Sequence, residues 1–133
     1  MEKTLHINLF IKWFDLTHKG IKLEDYRELT PYWFERLVFD HKKLFKYYTG
    51  HNWEDNIYRE EGVLHICSKK QSTIAFKPFD TTTILNGYKT DRPQFVVEHK
   101  GIEIGTGKSK WGAIKGRIYF IIKHGDGVVS NVV

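Results

Sequence analysis

Gly20-Ile21-Lys22-Leu23-Glu24-Asp25-Tyr26-Arg27-Glu28-Leu29-Thr30-Pro31-Tyr32-Trp33 is the stretch on which the reading of this chain turns. Gly20 is a good residue just past a helix end, so it predicts the stop of a short helix over Trp13 to Lys19. Residues 21–29 read as extended. Thr30-Pro31 is a helix start, with Thr as N-cap and Pro at the first helical position. Tyr32, Trp33, Leu37 and Val38 then form an apolar stripe that runs to about Phe39. Five of the nine residues from Gly20 to Glu28 are charged. In an extended chain Asp25 and Arg27 share a face, and Lys22 sits at the turn before them. A lysine, a carboxylate and an arginine together can bind phosphate or hold a polar substrate. They also fit an exposed strand with local ion pairs, each worth under about 1 kcal/mol.

Working outward, residues 4–12 alternate through Leu5, Ile7, Leu9 and Ile11, a strand with one buried face. Residues 40–62 are aromatic and charged. Leu44, Phe45, Tyr47 and Tyr48 extend the helical pattern until Gly50-His51-Asn52 interrupts it. Val63 to Cys67 and Ser72 to Lys77 read as two short strands joined by a turn at Lys69-Lys70-Gln71. Thr81 to Leu85 is a strand closed by Asn86-Gly87. Gln94 to Gly105 is another, with a bulge or bend at Gly101. A glycine-rich loop from Gly105 to Gly116 leads to an apolar strand, Arg117 to Lys123, and a last one, Val128 to Val133. There is no repeat, low-complexity stretch or linker.

The chain has 133 residues, the common size of one domain. It holds 13 Ile, 8 Val and 10 Thr against 2 Ala, a balance that favours pleated sheet over helix. The expected architecture is α+β: a small, partly closed β-barrel with short helices at its edge. The hydrophobic fraction of 41% excludes intrinsic disorder. No apolar run approaches the ~20 residues of a membrane span. Met1 to Ile7 carry no apolar core of signal-peptide type, so a cytoplasmic protein without membrane attachment is expected. The net charge is +5, and residues 100–133 carry six basic against two acidic side chains. Such an excess can attract phosphates.

Several chemistries fall away on spacing. Gly107-Lys108-Ser109 looks like the end of a phosphate-binding loop, but Ile102 stands where the first glycine belongs and no helix follows. The amides of Gly105 and Gly107, with Lys108 and Lys110, could still form an anion nest, or simply a hairpin loop with solvated lysines. Seven histidines form no ligand pair, and Cys67 is the single cysteine. No metal site, cofactor or disulfide is expected. Cys67 and His65 share a predicted strand face, yet a buried cysteine is ordinarily inert packing. Trp13, Trp33, Tyr88 and Trp111 lie near charges at predicted element ends, where rings stack on bases or pack into the core.

Residues 23–33, with Trp13-Phe14-Asp15 and Gly20-Ile21-Lys22 before them, resemble the ASCH-domain proteins of bacteria and phages. The likeness continues at Leu85-Asn86-Gly87-Tyr88, at residues 100–108 and at Trp111-Gly112-Ala113. It covers residues 5–38 and 81–124, and leaves about 40–79 as a divergent insert in a single domain, 1–133. It implies a PUA-like fold, a small mixed β-barrel with flanking short helices. It implies RNA or a nucleotide as ligand, held in a basic cleft around Lys22 and Arg27. Lys12, Asn86, Tyr88, Lys108 and Trp111 are further ligand-binding candidates on the same ground.

One ASCH branch is similar to small amidohydrolases acting on N4-acetylcytidine, with the motif Gly-x-Lys-Thr-x-Thr-x-Arg. Lys22 and Arg27 match its Lys and Arg. Leu23 replaces the first Thr, and Asp25 replaces the Thr nucleophile, whose job a carboxylate cannot do by the same mechanism. A non-catalytic binding module is therefore the first expectation. The alternative is a nucleic-acid or nucleoside hydrolase, amidohydrolase- or ribonuclease-like, using Lys22 with Glu24 or Asp25. A third is a phage or prophage accessory protein that binds a host protein or a small nucleotide signal, with residues 40–79 as its contact surface.

Overall fold

A computed structural model describes residues 3–130. Its frame is mixed α+β. Five strands, β1 (Thr4–Asn8), β2 (Glu24–Arg27), β3 (Thr81–Leu85), β4 (Gln94–Thr106) and β5 (Ile118–Ser130), form one sheet in the order β1-β3-β4-β5-β2. β1 and β3 run parallel, and every other pair is antiparallel. The sheet curls into a half-barrel. The cause of the curl is visible in β4 and β5. Their register slips between Val96 and Gly101, where Gly101 takes a φ of +108°. Such bulges bend a strand and raise its twist. On β5 the three residues Gly125-Asp126-Gly127 stand opposite the single residue Glu98. A Cβ at Gly20 would lie 2.2 Å from the Asp126 carbonyl oxygen, so only glycine fits there, at a φ of +73°.

Helix α1 (Ile11–His18) links β1 to β2, and α2 (Pro31–Leu37) follows β2 at once. The Thr30 side chain accepts from the Trp33 amide at 3.4 Å, and Pro31 is the first helical residue, as the sequence predicts. Helices α3 (His41–Thr49) and α4 (Arg59–Lys69) complete the helical layer. Phe34, Phe45, Trp53, Val63 and Ile66 from this layer share one core with Ile7, Ile84, Phe95, Phe120 and Ile122 of the sheet.

The expectations for residues 63–77 are corrected here. Val63 to Cys67 is the middle of α4, and Ser72 to Lys77 holds a 3-10 turn at Gln71–Thr73 and an isolated bridge from Phe76 to Val38. Buried Gly62, Val63, Ile66 and Cys67 recur at helical spacing, while Leu64 and His65 face solvent. Packing of that stripe outweighs the strand preference of its β-branched residues. Glu60 and Glu61 suit the helix N-terminus. His65 is thus turned away from Cys67, whose thiol burial pushes up to about 12.

Smaller corrections follow. β1 stops at Asn8 and α1 starts at Ile11, leaving Phe10 outside. α2 ends at Leu37. β4 runs on to Thr106, and the two strands expected over 117–123 and 128–133 are one, β5. The end of the second, residues 131–133, lies outside the described residues. Among the described residues no helix is long and apolar enough to cross a membrane, and no three His, Cys, Asp or Glu side chains cluster as metal ligands would.

Gly62 sits inside α4, where glycine ordinarily weakens a helix. A Cβ there would lie 2.5 Å from Phe45 Cε1 and 2.9 Å from Thr49 Cγ2. Gly62→Ala should therefore cost about 1–3 kcal/mol despite its better helix propensity. Urea unfolding midpoints measure this, and a stabilised variant would show that α3 and α4 separate freely.

Candidate functional site

The curl of the sheet brings its two outer strands, β1 and β2, toward each other. No backbone ladder joins them. The link is a side chain: Arg27 Nη2 donates to the Asn8 carbonyl at 3.0 Å. A cleft of about 490 Å³ opens at this seam.

Its floor comes from the segment around β2. Opposite residues on antiparallel strands share a face. Asp25 and Arg27 pair with Ile122 and Phe120 and so point inward, while Glu24 and Tyr26 pair with Lys123 and Ile121 and point the other way. Asp25 Oδ2 accepts from Arg27 Nε at 2.7 Å, and Asp25 Oδ1 lies 3.4 Å from Lys22 Nζ. Lys22 also donates to the Glu24 carbonyl. Lys22 is 1% exposed. Burial holds its amine below the ordinary lysine pKa, and the Asp25 charge works against that shift. Arg27 stacks over the Trp33 ring at 4.9 Å and keeps 21% of its side chain exposed. Its Nη1 has no partner among the described residues.

The walls are aromatic. Trp13 from α1 and Tyr26 each lie 5.8 Å from Lys22 Nζ. The Tyr26 hydroxyl donates to Glu24 Oε1 at 2.7 Å and accepts from the Lys108 amide at 2.9 Å, and burial pushes its pKa upward. Gly107 lets the loop close on that ring, since a Cβ there would lie 2.5 Å from Tyr26 Cε1. Trp111 forms the far wall, and Tyr88 stands at the mouth with 88% of its surface exposed.

The structure brings Lys22, Asp25, Arg27, Asn86, Tyr88 and Trp111 to one cleft. Each enters it differently. Lys22 and Asp25 are buried floor groups. Asn86 is a strut, donating to the Leu9 carbonyl at 2.9 Å. Arg27 and Tyr88 have groups free for a ligand. Lys12 and Lys108 stand outside the walls, their ammonium groups 4.6 Å over Trp13 and 4.7 Å over Trp111. Glu24 faces away from the cleft and holds Tyr26. Gly105 lies in β4 opposite Tyr119, and the Lys108 amide donates to the Tyr26 hydroxyl, so that amide is taken within the fold.

Asn8 and Phe10 are the residues sequence reasoning missed. The Asn8 amide makes a reciprocal pair with Gly87, donating to its carbonyl at 2.8 Å and accepting from its amide at 3.0 Å. That pair carries Tyr88 to the cleft. An asparagine ending an alternating strand was the available signal. The floor balances two basic groups against one carboxylate. Chemically the cleft offers a planar or aromatic ligand ring faces to stack on, and an anionic group the free edge of Arg27. No known family model, curated protein or solved structure matches the chain.

Proposed function

We propose that the protein binds RNA or a nucleotide through this cleft, as a non-catalytic ASCH-type domain with a PUA-like fold. The carrying observation is the meeting of Arg27 with Trp13, Tyr88 and Trp111 around one opening. In this reading a base stacks on the exposed Tyr88 ring at the mouth, and its phosphate meets Arg27 and, outside, Lys12 and Lys108. The same cleft takes a free nucleotide or one unstacked residue of a single strand. The half-barrel with a helix between its first two strands, and Lys22 to Arg27 at its seam, agree with the family resemblance.

The test is quenching of tryptophan fluorescence by the four nucleoside monophosphates and by single-stranded RNA, at low and at physiological salt. Tyr88→Ala should weaken binding roughly fivefold to a hundredfold, the worth of one stacked base. Salt should weaken RNA binding more than nucleotide binding. Binding that neither Tyr88→Ala nor Arg27→Gln alters would place the ligand elsewhere.

A second reading rests on one specific observation: a buried lysine with a lowered pKa beside a carboxylate, inside a cleft. In a hydrolase the neutral Lys22 amine would take a proton from a water that Asp25 orients as it adds to the amide carbonyl, and would give that proton to the amine as the C–N bond breaks. Release of acetate from N4-acetylcytidine, abolished by Lys22→Met, would favour that reading over the first.

A further inference from the structure

Phe10 stands at the cleft between β1 and α1, with its ring 82% exposed. Phe10 and Tyr88 are the two most exposed aromatic side chains among the described residues, and both line the same opening. Their stems are tied to each other. β1 and β3 run side by side as far as the pair Asn8 and Leu85, about 4.8 Å apart as neighbouring strands are. Just beyond that pair the Leu9 amide donates to the Leu85 carbonyl at 2.8 Å, and the Leu9 carbonyl accepts from the Asn86 side chain. The Phe10 carbonyl accepts from the Phe14 amide at 2.9 Å as α1 begins. On the other side the Asn8 side chain holds Gly87, next to Tyr88. Both rings therefore stand in solvent on pinned backbone that leaves two neighbouring strand ends.

The rim around them is basic. The segments that build the walls, 8–13, 86–89 and 107–112, carry Lys12, Lys89, Lys108 and Lys110 and no carboxylate. All four lysines are exposed, and none forms an ion pair or a side-chain hydrogen bond among the described residues. Lys12 lies over Trp13, and Lys108 and Lys110 lie over Trp111. The carboxylate inside the cleft, Asp25, is already shared by Lys22 and Arg27.

We propose that the ligand of this cleft is a single strand of nucleic acid rather than a free nucleotide, with Phe10 as the second stacking platform. The inference rests on nucleotide binding at Tyr88 and Arg27. One base stacks on Tyr88, and its neighbour in the strand stacks on Phe10. A free nucleotide brings one phosphate group, which Arg27 meets alone. The four lysines lie around it on the walls, where the phosphates before and after that nucleotide pass. A lysine rim attracts carboxylates too. An apolar peptide side chain takes hold by filling a pocket, however, whereas a base needs only an exposed ring face.

The experiment uses the whole chain and follows quenching of its tryptophan fluorescence by uridine monophosphate and by the uridine trinucleotide, with a deoxyuridine trinucleotide as a further arm, over a range of salt. The trinucleotide should bind about tenfold or more tightly than the monophosphate. Its affinity should also fall more steeply with salt, by about 0.7 in log–log slope for each added phosphate contact. Phe10→Ala should lower the ratio of the two affinities roughly fivefold or more, the worth of one stacked base. Tyr88→Ala should weaken both ligands. Lys12→Gln with Lys110→Gln should flatten the salt slope of the trinucleotide. Circular dichroism checks that the variants fold. Tighter binding of the RNA or of the DNA trinucleotide supports the inference in either case and says which strand is bound. Equal affinity for monophosphate and trinucleotides, both weakened by Tyr88→Ala, overturns the inference and leaves nucleotide binding in place. So does a loss in Phe10→Ala that falls equally on both. Displacement of the trinucleotide by a glutamate-rich peptide at equal concentration overturns it in favour of a protein contact. Binding of none of the nucleotides overturns the inference and the reading on which it rests.

Discussion

Asp25→Ala is expected to lower stability by about 3–5 kcal/mol, the cost of removing one partner from a buried ion pair. Asp25 is the one carboxylate between Lys22 and Arg27, with 8% of its side chain exposed. Without it Lys22 keeps the Glu24 carbonyl alone. Arg27 keeps the Asn8 carbonyl and some water, so Lys22 bears the larger loss. A buried ammonium escapes part of its penalty by releasing its proton. Burial already lowers the Lys22 pKa, and Asp25 is the largest influence opposing that shift. In the variant the folded-state pKa falls further below the unfolded value. A base with a depressed folded pKa is destabilising at low pH, and stability returns as pH rises toward the unfolded value. The deficit of Asp25→Ala should therefore shrink as pH rises above neutrality. Lys22→Met in the same chain should recover most of it at every pH, because no buried charge then remains unpaired. Urea unfolding of the native chain and the two variants at neutral and alkaline pH decides the matter. A deficit under about 1 kcal/mol, with no recovery in the double variant, would mean that solvent reaches the floor of the cleft.

That floor also shows how far the sequence is legible. Alternation places Asp25 and Arg27 on one face from the sequence alone, and the pairing of β2 with β5 makes that face the inner one. The depth of Lys22 was not legible. It sits at a turn, outside the alternation, where a long side chain can reach either face. Only the closure of Trp13 and Tyr26 around it decides. The contacts of Asn8 with Gly87 cross 79 residues of chain, and local pattern carries no information at that range. The glycine and proline punctuation was read correctly. Gly20 ends α1, Thr30-Pro31 starts α2, Gly50 ends α3, and Gly101 bends β4, each because backbone geometry is decided locally. Residues 63–77 were misread for the opposite reason. Val63, Ile66 and Cys67 satisfy a short strand and a helical stripe equally, and Gly62 argues locally against helix. Its place against Phe45, a tertiary fact, selects the helix.

His124 offers the second large effect, and it concerns the interior behind the cleft. The residue is 3% exposed, and neither ring nitrogen has a hydrogen-bond partner. Its backbone amide donates to the Leu23 carbonyl at 2.9 Å, next to Lys22. His99 faces it across the β4–β5 ladder, and Asp25, Lys22 and Arg27 are the other charged groups that act on it. Burial pushes its pKa down to about 4 from an ordinary 6.5, with Asp25 opposing and the two cations assisting. The sign follows from proton binding. Between those values the unfolded chain takes up a proton that the folded chain refuses, so stability falls as pH drops from 6.5 toward 4. The full loss is about 3 kcal/mol, at 1.36 kcal/mol for each unit of difference. His99 and His41 are also lowered by burial and add in the same direction. His124→Leu separates the contributions. At neutral pH it should cost little or even stabilise, because an apolar side chain replaces a buried polar group with no partner. On acidification its unfolding midpoint should fall less than that of the native chain, leaving the part due to His99 and His41. An unchanged acid dependence, or a His124 ring that titrates near 6.5 by NMR, would mean that solvent reaches the ring.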